Sequence, residues 1–129
     1  MKLTTYIIMV MLALLAPISM HAEGAKMKFD NTLHNFEAIP EDRGTVSHDF
    51  VFTNVGDGPL VIIDINTNCG CTTAQYPQAP IVAGEKGVIT ITFDPKGNPG
   101  EFAKEIIVKS NANKKRTKLR IKGMVIPQQ

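Results

Sequence analysis

From residue 45 onward, polar and apolar side chains alternate with a period of two, the repeat of a strand with one wet and one buried face. In TVSHDFVFTN, residues 45–54, Val46, His48, Phe50 and Phe52 fall on one side, and Ser47, Asp49 and Thr53 on the other with Val51. LVIIDIN repeats the pattern with Val61, Ile63 and Ile65, and VITITF with Ile89, Ile91 and Phe93. Residues 101–109 place Phe102, Ile106 and Val108 together; residues 117–126 set Leu119, Ile121 and Val125 against Lys118, Arg120 and Lys122. Clusters of Gly, Pro and Asn separate these runs, in NVGDGPL, IVAGEKG and DPKGNPG, and such residues supply the backbone angles that turns require. Nothing after residue 44 carries a helical stripe longer than a turn or two.

Ahead of the alternating region lies MKFDNTLHNFEAIPEDRG, residues 27–44. Met27 and Phe29 begin a first strand there, with Phe36 and Ile39 packing behind it, and Pro40 interrupts the segment. The chain is therefore expected to be all-β, an immunoglobulin-like antiparallel sandwich of about seven strands, because two facing sheets bury every aliphatic row without a helix. Each aliphatic side chain removed from water contributes about 1.5 to 3 kcal/mol, which is what drives the faces together.

The first 22 residues follow another rule. MKLTTYIIMVMLALLAPISMHA carries one charge at Lys2, an apolar run from Tyr6 to Ala16, then Pro17, Ser19 and a small residue at Ala22. That is the layout of a cleaved secretory leader, with processing after Ala22 or, alternatively, Ala25. The domain division is then a leader over residues 1–22 and a single sandwich over 23–129, a mature length of about 107 residues with one modest core. No membrane span remains after cleavage, and a periplasmic or secreted location is expected.

Fourteen Lys and Arg stand against 12 Asp and Glu, too even a balance to steer the chain toward nucleic acid. The basic run KSNANKKRTKLRIK, residues 109–122, reads as the solvated side of a strand and its preceding turn. No phosphate cradle, nucleophile elbow, HExxH or spaced carboxylate pair is present. The expectation is a chain that is not an enzyme and needs no cofactor.

The remaining candidate chemistry is NTNCGCTT, residues 66–73, which holds both cysteines of the chain. Three states are open to Cys69 and Cys71. They can be buried reduced thiols, although an oxidising compartment disfavours exposed ones. They can form a disulfide, for which the backbone must fold in at Gly70, since residues two apart in an extended strand separate by about 6.5 to 7 Å. Or two thiolates can hold a soft metal such as Cu(I), or half of a zinc site with His34 and His48. His48 falls in line with phenylalanines, where a hydrogen-bonded half-buried histidine is the plainer role. The loop beyond the pair brings Asn68, Gly70, Thr72, Thr73 and Tyr76 forward as a binding surface.

The stretch from Thr53 to Asn111, with Cys69, Gly70, Cys71 and Thr72 followed by Pro80, Gly84 and Phe93-Asp94-Pro95, and then LRIKGMV, resembles the bacterial family catalogued as domain of unknown function 1573. That family is similar to immunoglobulin-like sandwiches of the major-sperm-protein and ciliary ASH type. The resemblance implies an export-associated domain with no defined activity and no residue of assigned catalytic role. The expected function is an exported, non-catalytic module, protein-binding or structural in the cell envelope, with an envelope or extracellular protein as partner and its oligomeric state open. The competing function is thiol redox or soft-metal handling by Cys69 and Cys71.

Overall fold

The alternating rows become strands of two four-stranded sheets packed face to face. The computed structural model describes residues 2–13 and 24–128. Helix α1 (Lys2–Ala13) is followed by strands β1 (Met27–Phe29), β2 (Leu33–Pro40), β3 (Val46–Asn54), β4 (Ile62–Asn66), β5 (Thr72–Gln75), β6 (Lys86–Phe93), β7 (Gly100–Ser110) and β8 (Arg116–Ile126). One sheet has the order β1-β3-β6-β5, the other β2-β8-β7-β4. The expected leader coincides in part with α1, while its cleavage point at Ala22 lies outside the described residues. Among the described residues no helix is long and apolar enough to cross a membrane.

The core forms where the rows predict. Phe50, Phe52, Ile89, Ile91 and Phe93 from one sheet meet Ile106, Val108, Leu119, Ile121 and Val125 from the other, and all are buried. Phe93 of β6 stacks on Phe102 of β7 with ring centroids 4.2 Å apart, joining the layers directly.

The sandwich is immunoglobulin-like, with eight strands among the described residues where about seven were expected; β5 and the full length of β2 were not anticipated. One pairing is parallel. β2 runs alongside β8, from Leu33 opposite Arg120 to Pro40 opposite Ile126, with a break in register between Asn35 and Ala38. At that break Glu37 takes a φ of 61°, and its amide donates to Asn35 Oδ1 at 2.8 Å. The bulge brings the Glu37 carbonyl against Gly123, where an added Cβ would stand 2.9 Å from that oxygen and from the Phe102 ring. Glycine is thus the residue that permits this approach.

The row expected in LVIIDIN is broken in its middle, with Ile65 packed on the core as expected but Ile63 turned outward. Ile62 is 8% exposed and faces the core, whereas Ile63 is 58% exposed. The register of β4 against β7 slips between Ile62 and Asp64, and the extra residue lets Ile62 before it and Ile65 after it both face inward. The slip follows from how the strand is entered. The Val61 amide donates to Asn111 Oδ1 at 2.8 Å, Asn111 Nδ2 donates to the Pro59 carbonyl at 3.0 Å, and the Asn111 amide donates to the Val61 carbonyl at 3.1 Å.

Candidate functional site

Residues 67–71 carry the chain from β4, at the edge of one sheet, to β5, at the edge of the other. Such a crossing needs a sharp change of direction. Asn68 supplies it with a φ of 56°, its amide donating to Asn66 Oδ1 at 2.9 Å, an Asx arrangement that suits asparagine to the left-handed region. Thr67 Oγ1 donates to the Cys69 carbonyl at 3.3 Å. The Thr72 amide returns to the same carbonyl at 3.2 Å, closing a tight turn over Gly70 and Cys71.

Within that turn Cys69 and Cys71 are bonded to each other, and no free cysteine occurs among the described residues. Their Cα atoms are 5.2 Å apart, inside the range a disulfide accepts and shorter than an extended strand allows. Gly70, between the two cysteines, is where the backbone folds in, as the sequence requires of a bonded pair, and the left-handed Asn68 turns the chain just ahead of it. The Cys71 amide also lies 3.2 Å from Cys69 Sγ, and Cys71 packs partly against the core. The Asp94 amide donates to the Cys71 carbonyl at 2.8 Å, tying the turn to the end of β6.

So small a ring removes little freedom from the unfolded chain. Reduction, or replacement by Cys69→Ser with Cys71→Ser, is expected to lower the unfolding free energy by less than about 2 kcal/mol and to leave the strands intact. Urea unfolding with and without reductant measures this. A loss of all cooperative unfolding on reduction would contradict it.

The expected binding loop is only partly a loop. Thr72 and Thr73 belong to β5, and Thr72 is 2% exposed, so it is withdrawn from any contact surface and takes the role of a strand residue next to Cys71. Thr73 on the opposite face is exposed, as are Asn68 and Gly70. Tyr76 is half-buried and packs on the core at its open end.

His34 and His48 do meet. His34 on β2 and His48 on β3 face each other across the two sheets with ring centroids 3.7 Å apart and planes within 9° of parallel. Phe36 sits edge-on to His34 at 4.5 Å and Phe50 edge-on to His48 at 4.7 Å. The company of His48 is therefore aromatic. The four residues considered as a metal set do not converge. The histidines sit on β2 and β3, the cysteines at the opposite side of the sandwich where β4 and β5 end their sheets, and no three His, Cys, Asp or Glu cluster among the described residues. Bonded to each other, the sulfurs present no thiolates to a metal.

Burial holds the pKa of His48 below its ordinary 6.5, the neighbouring His34 adds to the lowering, and Asp49 partly opposes it. The folded state thus prefers neutral His48. Its contribution to stability is complete above pH 6.5 and is lost as the pH falls through the lower folded value, because in that window the unfolded chain binds more protons. Unfolding midpoints measured from neutral pH downward should fall below pH 6.5, and His48→Asn should flatten that part of the profile. An unchanged slope in the variant would assign the pH dependence to other groups.

Sequence reasoning missed Asn54, at the end of β3. Its side chain is fully buried and accepts from the Lys26 amide at 3.3 Å and the Gly56 amide at 3.1 Å, while Nδ2 donates to the carbonyls of Gly58 at 2.8 Å and Ile81 at 2.9 Å. A polar residue beside NVGDGPL reads as part of a turn, and no local signal marks it as the tie between three segments.

A family model described as "Protein of unknown function (DUF1573)" matches residues 27–125. No curated protein matches the chain. Among solved structures, a protein of unknown function from Porphyromonas gingivalis W83 aligns with a TM-score of 0.72 at 20% identity, over 83% of this chain and 50% of that one. The VesB protease of Vibrio cholerae gives 0.63 at 16%, over 84% and 34%. The ASH/PapD-like domain 7 of human CEP192 gives 0.65 at 14%, over 89% and 95%. These likenesses are of fold. The chain spans half of the Porphyromonas protein and about a third of VesB.

Proposed function

We propose, from the premise that this chain belongs to the DUF1573 family, that it is an exported, non-catalytic sandwich that binds another protein of the cell envelope along one side of its two sheets. The observation that carries this is the pair of unpaired edges at that side. β5 ends one sheet and β4 ends the other, with the disulfide turn between them. An unpaired edge offers a row of free backbone donors and acceptors to an added strand, and Ile63 on β4 adds an exposed apolar side chain beside it. Fixing the turn covalently keeps the two edges at a set separation, which lowers the ordering cost of binding.

A photoreactive residue in place of Thr73, expressed in the native envelope, tests the reading. A discrete heavier adduct from position 73, absent when the same residue replaces Ser47 in the middle of its sheet, is expected. Equal labelling from both positions, or none from 73, would remove the edge from the function.

Export is supported by the apolar α1 and by how the following residues are held. Ala25 is 5% exposed within the core cluster, its carbonyl accepts from the Asn113 amide at 3.2 Å, and the Gly24 amide donates to Asp57 Oδ1 at 2.6 Å. Processing after Ala22 leaves these contacts in place, whereas processing after Ala25 would remove a core residue. Intact mass of the exported protein should therefore correspond to a chain starting at Glu23, and a start at Lys26 would contradict this.

A further inference from the structure

The outer face of the β2-β8-β7-β4 sheet is polarised. Strand alternation turns Lys118, Arg120 and Lys122 of β8 away from the buried Leu119, Ile121 and Val125. Arg116 lies opposite Lys109 of β7 on the same face, Lys118 opposite Ile107, and Arg120 opposite Glu105. Lys114 and Lys115 extend the basic run into the hairpin tip, which is fixed by the contacts of Asn111 to Pro59 and Val61 and of Asn113 to Ala25. The carboxylates on this face are Asp64, Glu101, Glu105 and Glu37 of β2, which lies beside Lys122. Seven cations against four anions leave three positive charges, while the whole chain is +2, so the remaining residues carry a net of one negative charge.

Glu105 does not cancel the column. It lies 3.5 Å from both Lys118 Nζ and Arg120 Nη2, whose side chains are 69% and 65% exposed. One carboxylate shared by two solvated cations neutralises one charge, and exposed pairs of this kind are weak.

We infer that this face docks on an anionic phospholipid surface, the cations of β8 and the hairpin tip meeting phosphate headgroups. Charge complementarity and shape both support that occupant. Side chains two apart on a strand recur every 6.5 to 7 Å or so in a flat array, which suits a plane of headgroups. Exposed Leu33 pairs with Arg120 at the β2 margin, and Ile107 sits between the cation columns, so apolar groups accompany the charges as they do at lipid interfaces. A nucleic acid finds less here. The phenylalanines of the strands point into the sandwich or pack against its core, leaving this face without a base-stacking platform, and a flat sheet face has no element that enters a groove.

Vesicle sedimentation with the full chain tests the inference, using phosphatidylglycerol and phosphatidylcholine at about one to two, and phosphatidylcholine alone. Partition to the anionic vesicles is expected to be at least about tenfold stronger at low salt, and to fall steeply as salt is raised toward about 0.5 M, where the screening length is a few ångströms. Lys118→Gln with Arg120→Gln and Lys122→Gln should abolish the preference for the anionic vesicles. Lys114→Gln with Lys115→Gln, which leaves the strands untouched, should reduce it by about tenfold at one Lys per factor of a few. Binding that α1 contributes is common to the parent and both variants, so it subtracts out of their comparison. Equal partition to both vesicles, or undiminished preference in both variants, would overturn the assignment. So would tighter retention by a duplex oligonucleotide than by the anionic vesicles.

Discussion

Replacing Asn54 with alanine is expected to lower the unfolding free energy by about 3 to 5 kcal/mol, the largest effect of any single polar substitution in the sandwich. The change removes two side-chain donors and one acceptor at a fully buried position: the amides of Lys26 and Gly56 lose that acceptor, the Gly58 carbonyl loses its donor, and the Ile81 carbonyl keeps only the Leu60 amide at 2.9 Å. Each orphaned buried group costs about 1 to 3 kcal/mol, reduced where water reaches it. The Asn54 backbone stays tied, its amide to the Glu85 carbonyl at 2.9 Å and its carbonyl to the Gly84 amide at 2.8 Å, so β3 should persist while the turn after it loosens. Asn54→Asp separates geometry from chemistry. It keeps the shape and the acceptor but faces two carbonyls with a carboxylate, and should be nearly as damaging. Chemical denaturation of the three proteins gives the ranking, and an aspartate variant as stable as the parent would show that the two donated bonds contribute little.

Phe52→Ala is expected to cost about 3 to 5 kcal/mol, as emptying a fully buried aromatic position does. What distinguishes this site is its partner. Phe52 lies opposite Gly87 in the β3-β6 register, and a Cβ added at Gly87 would run into the Phe52 ring. The ring lies over the bare glycine backbone, with Phe29 tilted against it at 5.6 Å from the other side. Gly87→Ala alone should therefore cost about 1 to 3 kcal/mol through overpacking. In the Phe52→Ala background the same methyl enters vacated space and should cost far less, so the two changes are non-additive by more than about 1 kcal/mol. Denaturant midpoints of the four proteins of that cycle are the measurement. Simple additivity would mean that the ring moves aside freely.

The strands that were legible in the sequence are those whose neighbours on both sides are strands of the same sheet. β3, β6, β7 and β8 have one face on the core, so their alternation survives unbroken from Val46 to Phe52, from Ile89 to Phe93 and from Leu119 to Val125. The peripheral strands were harder for a physical reason. β2 buries only Ile39 fully and interrupts itself at Glu37, so its eight residues carry little period. β5 is four residues long, with Thr72 as its one buried side chain, and β4 breaks its row at a bulge beside its tether to Asn111, 50 residues away, so that Ile62 takes the place expected of Ile63. Of the candidate site, the cysteine pair and its turn could be read locally. The stacking of His34 on His48 could not, because it joins residues of different sheets, and the place of Asn54 depends on three segments that meet only after folding.

The parallel seam between β2 and β8 sets when the molecule can finish folding. Leu33 waits for Arg120, and Pro40 for Ile126, so the second strand of the domain is completed by its eighth. Contacts this distant in sequence slow a two-state domain toward milliseconds to seconds. Until residue 126 is available, β2 has no place to lie and the second sheet lacks its central strand. A domain of this design stays pliable until β8 is in place and then closes along that seam.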